Sequence, residues 1–352
     1  MPPGPFRSEA MGVNLTPIIV KKVTTLDALR GRTMAVDAFN VLYQFLALIR
    51  TRTGTPLTDG EGNVTSHLVG LAFRTTRLIT DYNITPVFVF DGKPPDLKKA
   101  ELEARREQKR QAEKEYSEAV EKGDFAVAWR KAVQTSRLSY SMVDDAKHLM
   151  TLLGVPWVQA PSEGEAQAAY MAIRGDVWAA SSRDYDSLLF GAPRVVRYLT
   201  IQGQEWLPSR GRARKLEPEI IDLAQFLTHL GLTREQLIDA SLLIGTDFNP
   251  GIKGIGPKTA VKLMKKHGSL ENLPGETREK LTTSYPEIRE FYLNPPTVND
   301  YSTQMQPLKR EELYSFLCDE RDFSRDRVNV LVKRLEKPIR QRSLAEWVKE
   351  EK

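Results

Sequence analysis

Seven carboxylates stand where a folded chain would put them to work: Asp37, Asp91, Glu163, Glu165, Asp184, Asp186 and Asp247. Asp37 lies in an apolar run that begins at Thr33, Asp91 follows Val-Phe-Val-Phe, and Asp184 and Asp186 lie just beyond Ala-Ala-Ser-Ser. Glu163 and Glu165 open the segment after Trp157-Val-Gln-Ala160, and Asp247 follows Leu-Leu-Ile-Gly-Thr. At roughly 4 Å, two like charges repel by about 4 kcal/mol even at an effective dielectric of about 20, so a convergent set stays ionised only with cations among it. All-oxygen donors without His or Cys select Mg2+ or Mn2+ over zinc, and two such ions about 4 Å apart suit in-line attack on a phosphodiester. The chemistry indicated is that of a nuclease. Taken singly, each acid has a plainer role, because an Asp after a strand commonly caps the next helix and Ser162-Glu-Gly-Glu165 has the form of a capping box. Capping needs neither Glu163 nor both acids of Asp184-Tyr-Asp186, so the set as a whole reads as a metal centre.

Bringing these acids together takes strands that end on one rim. Thr33–Phe39, Pro86–Asp91, Trp157–Ala160, Val177–Ser182 and Val195–Leu199 read as short apolar strands. Helical patterns lie between them at Val41–Ile49, after a cap at Thr65 or Ser66, at Met142–Leu153 and from Ser162. Alternation of this kind implies a parallel sheet, whose functional crevice lies outside the carboxyl ends of its strands. From 97 to 137 the composition turns to Lys, Arg, Glu, Gln and Ala, which suits helices polar nearly all round and marks an insertion in the sheet. Lys98, Lys99, Arg105, Arg106, Lys109 and Arg110 place cations just after Asp91, where a phosphate-rich single strand would meet them. Acids are interleaved with them, so a solvated surface helix is the alternative. After about Glu217 the reading is helical, and Gly251-Ile-Lys-Gly-Ile-Gly-Pro257 forms a turn between two helices. Unobstructed amides at a helix N-terminus hold phosphate, which makes this a helix-hairpin-helix signature, with Lys258, Lys262, Lys265 and Lys266 adding charge.

Composition narrows the remaining choices. A chain of 352 residues with 41% hydrophobic and 28% charged residues is an ordinary globular one, of two domains or one large one. The formal net charge of +5 leans mildly towards anionic partners. Cys318 is the sole cysteine, which excludes an intramolecular disulfide, and the four histidines lack metal-ligand spacing. No run approaches ~18 apolar residues, and Met-Pro-Pro-Gly-Pro-Phe at the start lacks the apolar stretch of a secretory signal. The expectation is a soluble, intracellular protein that does not engage a membrane.

These blocks resemble the flap endonuclease family of structure-specific 5′ nucleases, from Met11 to Val348. The resemblance rests on Ala35-Val-Asp37-Ala, Val89-Phe-Asp91-Gly-Lys-Pro-Pro95, Ala160-Pro-Ser-Glu163-Gly-Glu165-Ala-Gln-Ala-Ala-Tyr170, Ser182-Arg-Asp184-Tyr-Asp186-Ser-Leu-Leu and Gly245-Thr-Asp247 with the glycine turn, in that order. It implies an α/β fold: a mostly parallel central sheet with helices on both faces, a helical arch insertion and a C-terminal helical helix-hairpin-helix region. The implied divisions are an N-terminal extension at 1–10, an N-terminal nuclease region at 11–108, the arch or clamp at 97–137, an internal nuclease region at 126–270 with the hairpin at 251–267, a C-terminal helical region at 271–340 and a clamp-binding motif at 341–348.

The same resemblance assigns roles residue by residue. Asp37, Asp91, Glu163 and Glu165 would surround one Mg2+, and Asp184, Asp186 and Asp247 would serve a second, with Mn2+ able to substitute. Lys98 and Arg105 match catalytic arch cations that face the scissile phosphate. DNA contacts fall on Tyr43, which stacks on a base, and on Arg50, Arg74, Glu163, Gly245 and Asp247. In the hairpin they fall on Gly254, Gly256 and Lys258, while the carbonyls of Gly251, Ile252 and Ile255 match a site for a monovalent cation, K+. Gln341, Leu344, Trp347 and Val348 resemble a sliding-clamp-binding box, in which Val348 stands where an aromatic is usual. The implied protein is a monomeric Mg2+-dependent enzyme that cuts 5′ flaps in replication and repair, with 5′–3′ exonuclease activity. The implied setting is archaeal, in the cytoplasm or nucleoid, without a nuclear targeting tail. A mainly exonucleolytic or bubble-cutting relative, and a non-catalytic DNA-binding module, are the alternatives; the latter has no use for seven acids that repel DNA.

Overall fold

The computed structural model describes residues 12–51, 55–99, 138–200, 203–207 and 212–336, with short helical stretches between 101 and 118. Its strands are β1 (Lys22–Val23), β2 (Thr33–Asp37), β3 (Thr85–Phe90), β4 (Trp157–Gln159), β5 (Ala179–Ser181), β6 (Arg194–Arg197), β7 (Gly203–Leu207), β8 (Arg212–Leu216) and β9 (Glu219–Asp222). Seven of them form one sheet in the order β1-β9-β6-β5-β2-β3-β4. β2 to β6 are parallel, while β9 pairs antiparallel with both β6 and β1. β7 and β8 make a separate antiparallel pair.

Helices cover both faces: α1 (Ala38–Leu48), α2 (Ser66–Gly70), α3 (Thr76–Tyr82), α4 (Tyr140–Leu152), α5 (Gly164–Ile173), α6 (Asp186–Leu189), α7 (Leu223–Leu230), α8 (Arg234–Ile244), α9 (Pro257–His267), α10 (Gly275–Arg278), α11 (Tyr285–Leu293), α12 (Arg310–Tyr314) and α13 (Arg325–Leu335). Strand alternation decides which helices each residue meets. Met34, Val36, Phe88 and Phe90 join the core built with α1 to α4, α12 and α13. Ala35, Val87, Val89 and Ala180 join the other core, built with α5 to α9 and α11. Because both faces are buried, these strands are continuous apolar runs.

The strand order also fixes where a site belongs. From β2 the chain steps outward through β3 and β4, then returns to the other side of β2 for β5 and β6. The switch point therefore lies between the carboxyl ends of β2 and β5, where an open α/β sheet splits into a crevice.

Two local expectations are corrected. The segment after Glu217 begins with β9, because Glu219-Ile-Ile-Asp222 is paired on both sides, and only then does Asp222 start α7 by accepting a hydrogen bond from the Gln225 amide at 3.0 Å. At α2 neither expected cap operates: Thr65 makes no capping bond. Ser66 instead donates to the Ile49 carbonyl at 2.6 Å and accepts from the Leu57 amide at 2.9 Å, which ties down the preceding loop. The arch expected at 97–137 lies largely outside the described residues, as do the tail at 1–10 and the motif at 341–348. Among the described residues no helix is long and apolar enough to cross a membrane.

Candidate active site

Asp37 is the last residue of β2 and also the N-cap of α1, accepting from the Asn40 amide at 3.0 Å. The capping role and a place on the rim are thus compatible in one residue. Its second oxygen accepts from Ser182 Oγ at 3.2 Å, across the switch point. Ser182 Oγ accepts in turn from the Asp184 amide at 3.2 Å, and Asn40 Nδ2 donates to Asp184 Oδ2 at 2.8 Å. Asp91, directly after β3, takes the Gly164 amide at 2.6 Å. The capping box expected at Ser162–Glu165 does not form, since Glu163 occupies the N-cap of α5 without a capping bond. Both glutamates are left facing the rim, where Ser187 Oγ donates to Glu165 Oε1 at 3.2 Å.

On the far side of the crevice the backbone supplies the donors. The Val13 amide donates to Asp186 Oδ1 at 3.0 Å and the Gly12 amide to Asp247 Oδ1 at 2.8 Å. Lys98 enters from the start of the 97–137 insertion, its Nζ 2.8 Å from Glu163 Oε2 and 3.1 Å from Asp247 Oδ2.

Electrostatics joins the seven acids into one group. Burial, then Asp184 and Glu163 among its neighbours, pushes Asp37 up to about 6, against hydrogen bonds that favour its anion. Burial, then Asp37 and Glu163, raises Asp91 to about 8; burial, then Asp247 and Asp184, raises Asp186 to about 8. Glu165 is driven well above the usual carboxylate range by burial and by Asp186, Asp37 and Asp184. Burial alone would lower the Lys98 ammonium, yet Glu163, Asp247 and Asp91 hold it above its ordinary value. The rim is thus short of positive charge even with Lys98 in place. Among the described residues no three acidic, His or Cys side chains already close into a metal-sized shell. The donor set, all carboxylate oxygen, fits a hard divalent cation.

Other expected residues divide by location. Tyr43 lies on α1, one turn beyond Asn40, half-buried on the helix that Asp37 caps. Arg50 is held by the Leu46 carbonyl at 3.0 Å. Arg74 sits in a π-helical turn, Leu71–Thr75, and donates to the Thr200 carbonyl at 3.2 Å. Gly245 ends α8 at φ 109°, Asp247 follows two residues later, and Asn249 Nδ2 ties the turn back to the Leu242 carbonyl at 2.7 Å. Gly251, at φ 70°, presses its backbone against Ile244 and Gly245 so closely that a Cβ there would lie 2.4 Å from the Ile244 carbonyl carbon. Ile252 donates to the Leu243 carbonyl and Ile255 to the Ile252 carbonyl, Gly254 is exposed, and Gly256 caps α9 with Pro257 in its first turn and Lys258 exposed. One continuous turn therefore carries both Asp247 and the glycines. Arg105, Gln341, Leu344, Trp347 and Val348 lie outside the described residues.

Asn40 and the amides of Gly12 and Val13 escape a reading of motifs, while Ser182, Gly164 and Ser187 lie inside the motif blocks with nothing in their residue type to say which acid they bond. Backbone donors leave no side-chain signal.

Residues 11–112 match the XPG N-terminal domain and residues 154–247 the XPG I-region. The flap endonuclease 1 of Thermococcus onnurineus is 47% identical over 341 residues, covering 96% of this chain and 99% of its own length. That of Pyrococcus abyssi is 48% identical over 341 residues, covering 96% and 98%. The solved structure of flap endonuclease-1 from Methanococcus jannaschii superimposes with a TM-score of 0.73 at 41% identity, covering 92% of this chain and 98% of that one. Asp37 and Asp91 fall in the first matched region and the other five rim acids in the second, and with relatives of this identity running almost its whole length, the chain belongs to the flap endonuclease family.

Proposed function

We propose that this chain is a structure-specific 5′ flap endonuclease with 5′–3′ exonuclease activity, hydrolysing DNA at the junction of single strand and duplex in Okazaki fragment processing and repair. The observation that supports this reading most directly is the electrostatic union of seven carboxylates around Lys98 at the switch point of the sheet. Asp37, Asp91, Glu163 and Glu165 would hold one Mg2+, and Asp184, Asp186 and Asp247 a second, with Mn2+ as substitute. When bound, such ions supply Lewis-acid activation of the nucleophile and stabilise charge on the attacking and leaving oxygens. Lys98, together with Arg105, orients the scissile phosphate and offsets its charge.

Tyr43 stacks on a base at the junction, and Arg50 and Arg74 grip the strand beside it. Glu163, Gly245 and Asp247 border the path of the DNA. The amides of Gly254 and Gly256 and the ammonium of Lys258 hold the duplex backbone, and the Gly251, Ile252 and Ile255 carbonyls would hold a K+ that adds positive charge there. The partners are branched DNA carrying a 5′ flap and, through Gln341, Leu344, Trp347 and Val348, a sliding clamp; the enzyme works as a monomer.

Asp184→Ala tests the core of this reading. In a single turnover with excess enzyme and Mg2+, cleavage of a 5′-flap substrate is expected to fall by on the order of 10³-fold, with flap binding still detectable. Cleavage at the parent rate would remove the carboxylate assignment.

A further inference from the structure

Arg197 ends β6, whose sequence is Arg-Val-Val-Arg, and unlike the half-buried Arg194 at the other end it is almost completely buried, with 7% exposure. A buried cation is costly unless every donor is matched, and here the matches are specific. Nε donates to the Arg183 carbonyl at 2.7 Å and Nη1 to Tyr185 Oη at 2.7 Å. Nη1 also reaches Glu219 Oε2 at 3.2 Å, from the residue directly opposite on β9, and Nη2 donates to Tyr198 Oη at 3.2 Å. Two rings enclose the group, with Cζ 4.2 Å from the centroid of Tyr185 and 4.8 Å from that of Tyr198. Lys21 holds Glu219 from the edge of the sheet at 2.6 Å. Tyr198 takes part at a backbone φ of 60°, a conformation that a bulky residue adopts only when its surroundings enforce it.

Both principal contacts of Arg197 fall on one short turn. Arg183 and Tyr185 alternate with Asp184 and Asp186, so the guanidinium grips the backbone before the first acid and the side chain between the two. The acids themselves face a crowd of like charge that pushes the turn outward. A planar fork held by a carboxylate on the neighbouring strand is suited to resist that push, since it fixes two points with one rigid group.

We propose that Arg197 is a positioning residue that holds the Asp184-Tyr185-Asp186 turn in register for divalent-cation binding. It acts from inside the sheet, without touching the ion or the DNA. This rests on the reading of Asp184 and Asp186 as metal ligands. Arg197→Lys keeps a charge beside Glu219 but loses the Nε bond to the turn and the fork. Tyr185→Phe keeps the ring and loses the hydroxyl, which accepts from Nη1 at 2.7 Å and also meets Thr16 Oγ1 at 3.3 Å, and Thr16→Val serves as the control that removes the second contact alone.

The test titrates the DNA-free full chain with Mn2+, reading free ion by electron paramagnetic resonance, and follows single-turnover flap cleavage across the same Mn2+ range. Loss of an outer partner of a metal ligand typically weakens affinity by about 10- to 100-fold. Arg197→Lys is expected to fall in that range, with cleavage restored to within about threefold of the parent at saturating Mn2+. Tyr185→Phe is expected to show a smaller weakening in the same direction, and it carries the test if Arg197→Lys does not fold. Parental Mn2+ binding in the folded variant overturns the proposal, and so does a cleavage loss that saturating Mn2+ leaves unrestored. Parental Mn2+ binding and cleavage in Asp184→Ala would instead remove the reading beneath it, whatever Arg197 does.

Discussion

Lys98 is a partly buried ammonium between two acids of the rim, and its position carries two opposed consequences. Its charge offsets those of Glu163 and Asp247, yet it competes for the oxygens that a divalent cation would use. Lys98→Met is therefore expected to tighten Mn2+ binding while lowering single-turnover cleavage by roughly 10²- to 10³-fold, the usual cost of removing one preorganised electrostatic group. Weaker Mn2+ binding in that variant would show that the ammonium organises the acids instead of competing. His67 presents a different residue-scale case: it is fully buried, and among the described residues its ring nitrogens make no well-formed hydrogen bond, the Met142 backbone giving slight polar support. Burial pushes its imidazole down from 6.5 to about 4, Asp145 pulls it up and Arg321 opposes that, although these two pair with each other at 3.0 Å. The unfolded chain takes up this proton below about 6.5, whereas the folded one resists until about 4. The contribution to stability is thus whole above 6.5 and fades as pH falls towards 4. Between pH 7 and 4.5 the parent should lose about 2 to 3 kcal/mol that a folded His67→Gln variant does not lose. Guanidinium unfolding at the two pH values measures the difference, and equal losses would refute it.

Elements explain why some of the site is readable in the sequence and some is not. β2 and β3 announce themselves because each is an apolar run ending at an acid, and a parallel sheet then places those acids on one rim. β9 does not, because four residues with acids at both ends carry no clear period, and their strand character comes from pairing with β6 and β1. Ser66 departs from its expected capping role for a related reason: its hydroxyl serves the Ile49 carbonyl and the Leu57 amide, partners that only the folded loop brings near. Arg197 shows the same limit in the site itself, since an Arg at each end of a Val-Val pair says nothing of which one is buried or of the turn it grips. The glycine turn lies at the readable end, where the residue type follows from the backbone. At Gly251 a φ of 70° coincides with contact against Ile244 and Gly245, so an added methyl group meets backbone that cannot move aside cheaply. Gly251→Ala is expected to cost about 2 kcal/mol or more in unfolding free energy and to weaken duplex binding by shifting the turn that carries Asp247. A denaturation midpoint and duplex affinity equal to those of the parent would mean that the turn tolerates the left-handed conformation without strain.

At the scale of the whole molecule, the net charge of +5 conceals a separation of tasks. Lys98 is engaged internally, on acids of the rim, and contributes little to attraction at a distance. Lys258, Lys262, Lys265 and Lys266 are exposed along α9, beyond the glycine turn, where they meet solvent. A polyanion approaching the acidic rim would be repelled unless such a surface held it from the side, so on the proposed function binding and cutting would draw on different cations. Each lysine that neutralises a phosphate releases condensed counterions and steepens the salt dependence of binding. Lys258→Gln with Lys262→Gln is therefore expected to make the slope of log affinity against log salt less negative by up to about 2, roughly one for each phosphate left without its lysine. The drop in affinity should be the same for flap substrates of different sequence, because a lysine paired with a phosphate carries no sequence information. Filter binding of 5′-flap DNA from low to moderate salt measures both. A parental slope would place the duplex away from α9, and a drop that varied with sequence would show that the hairpin reads bases.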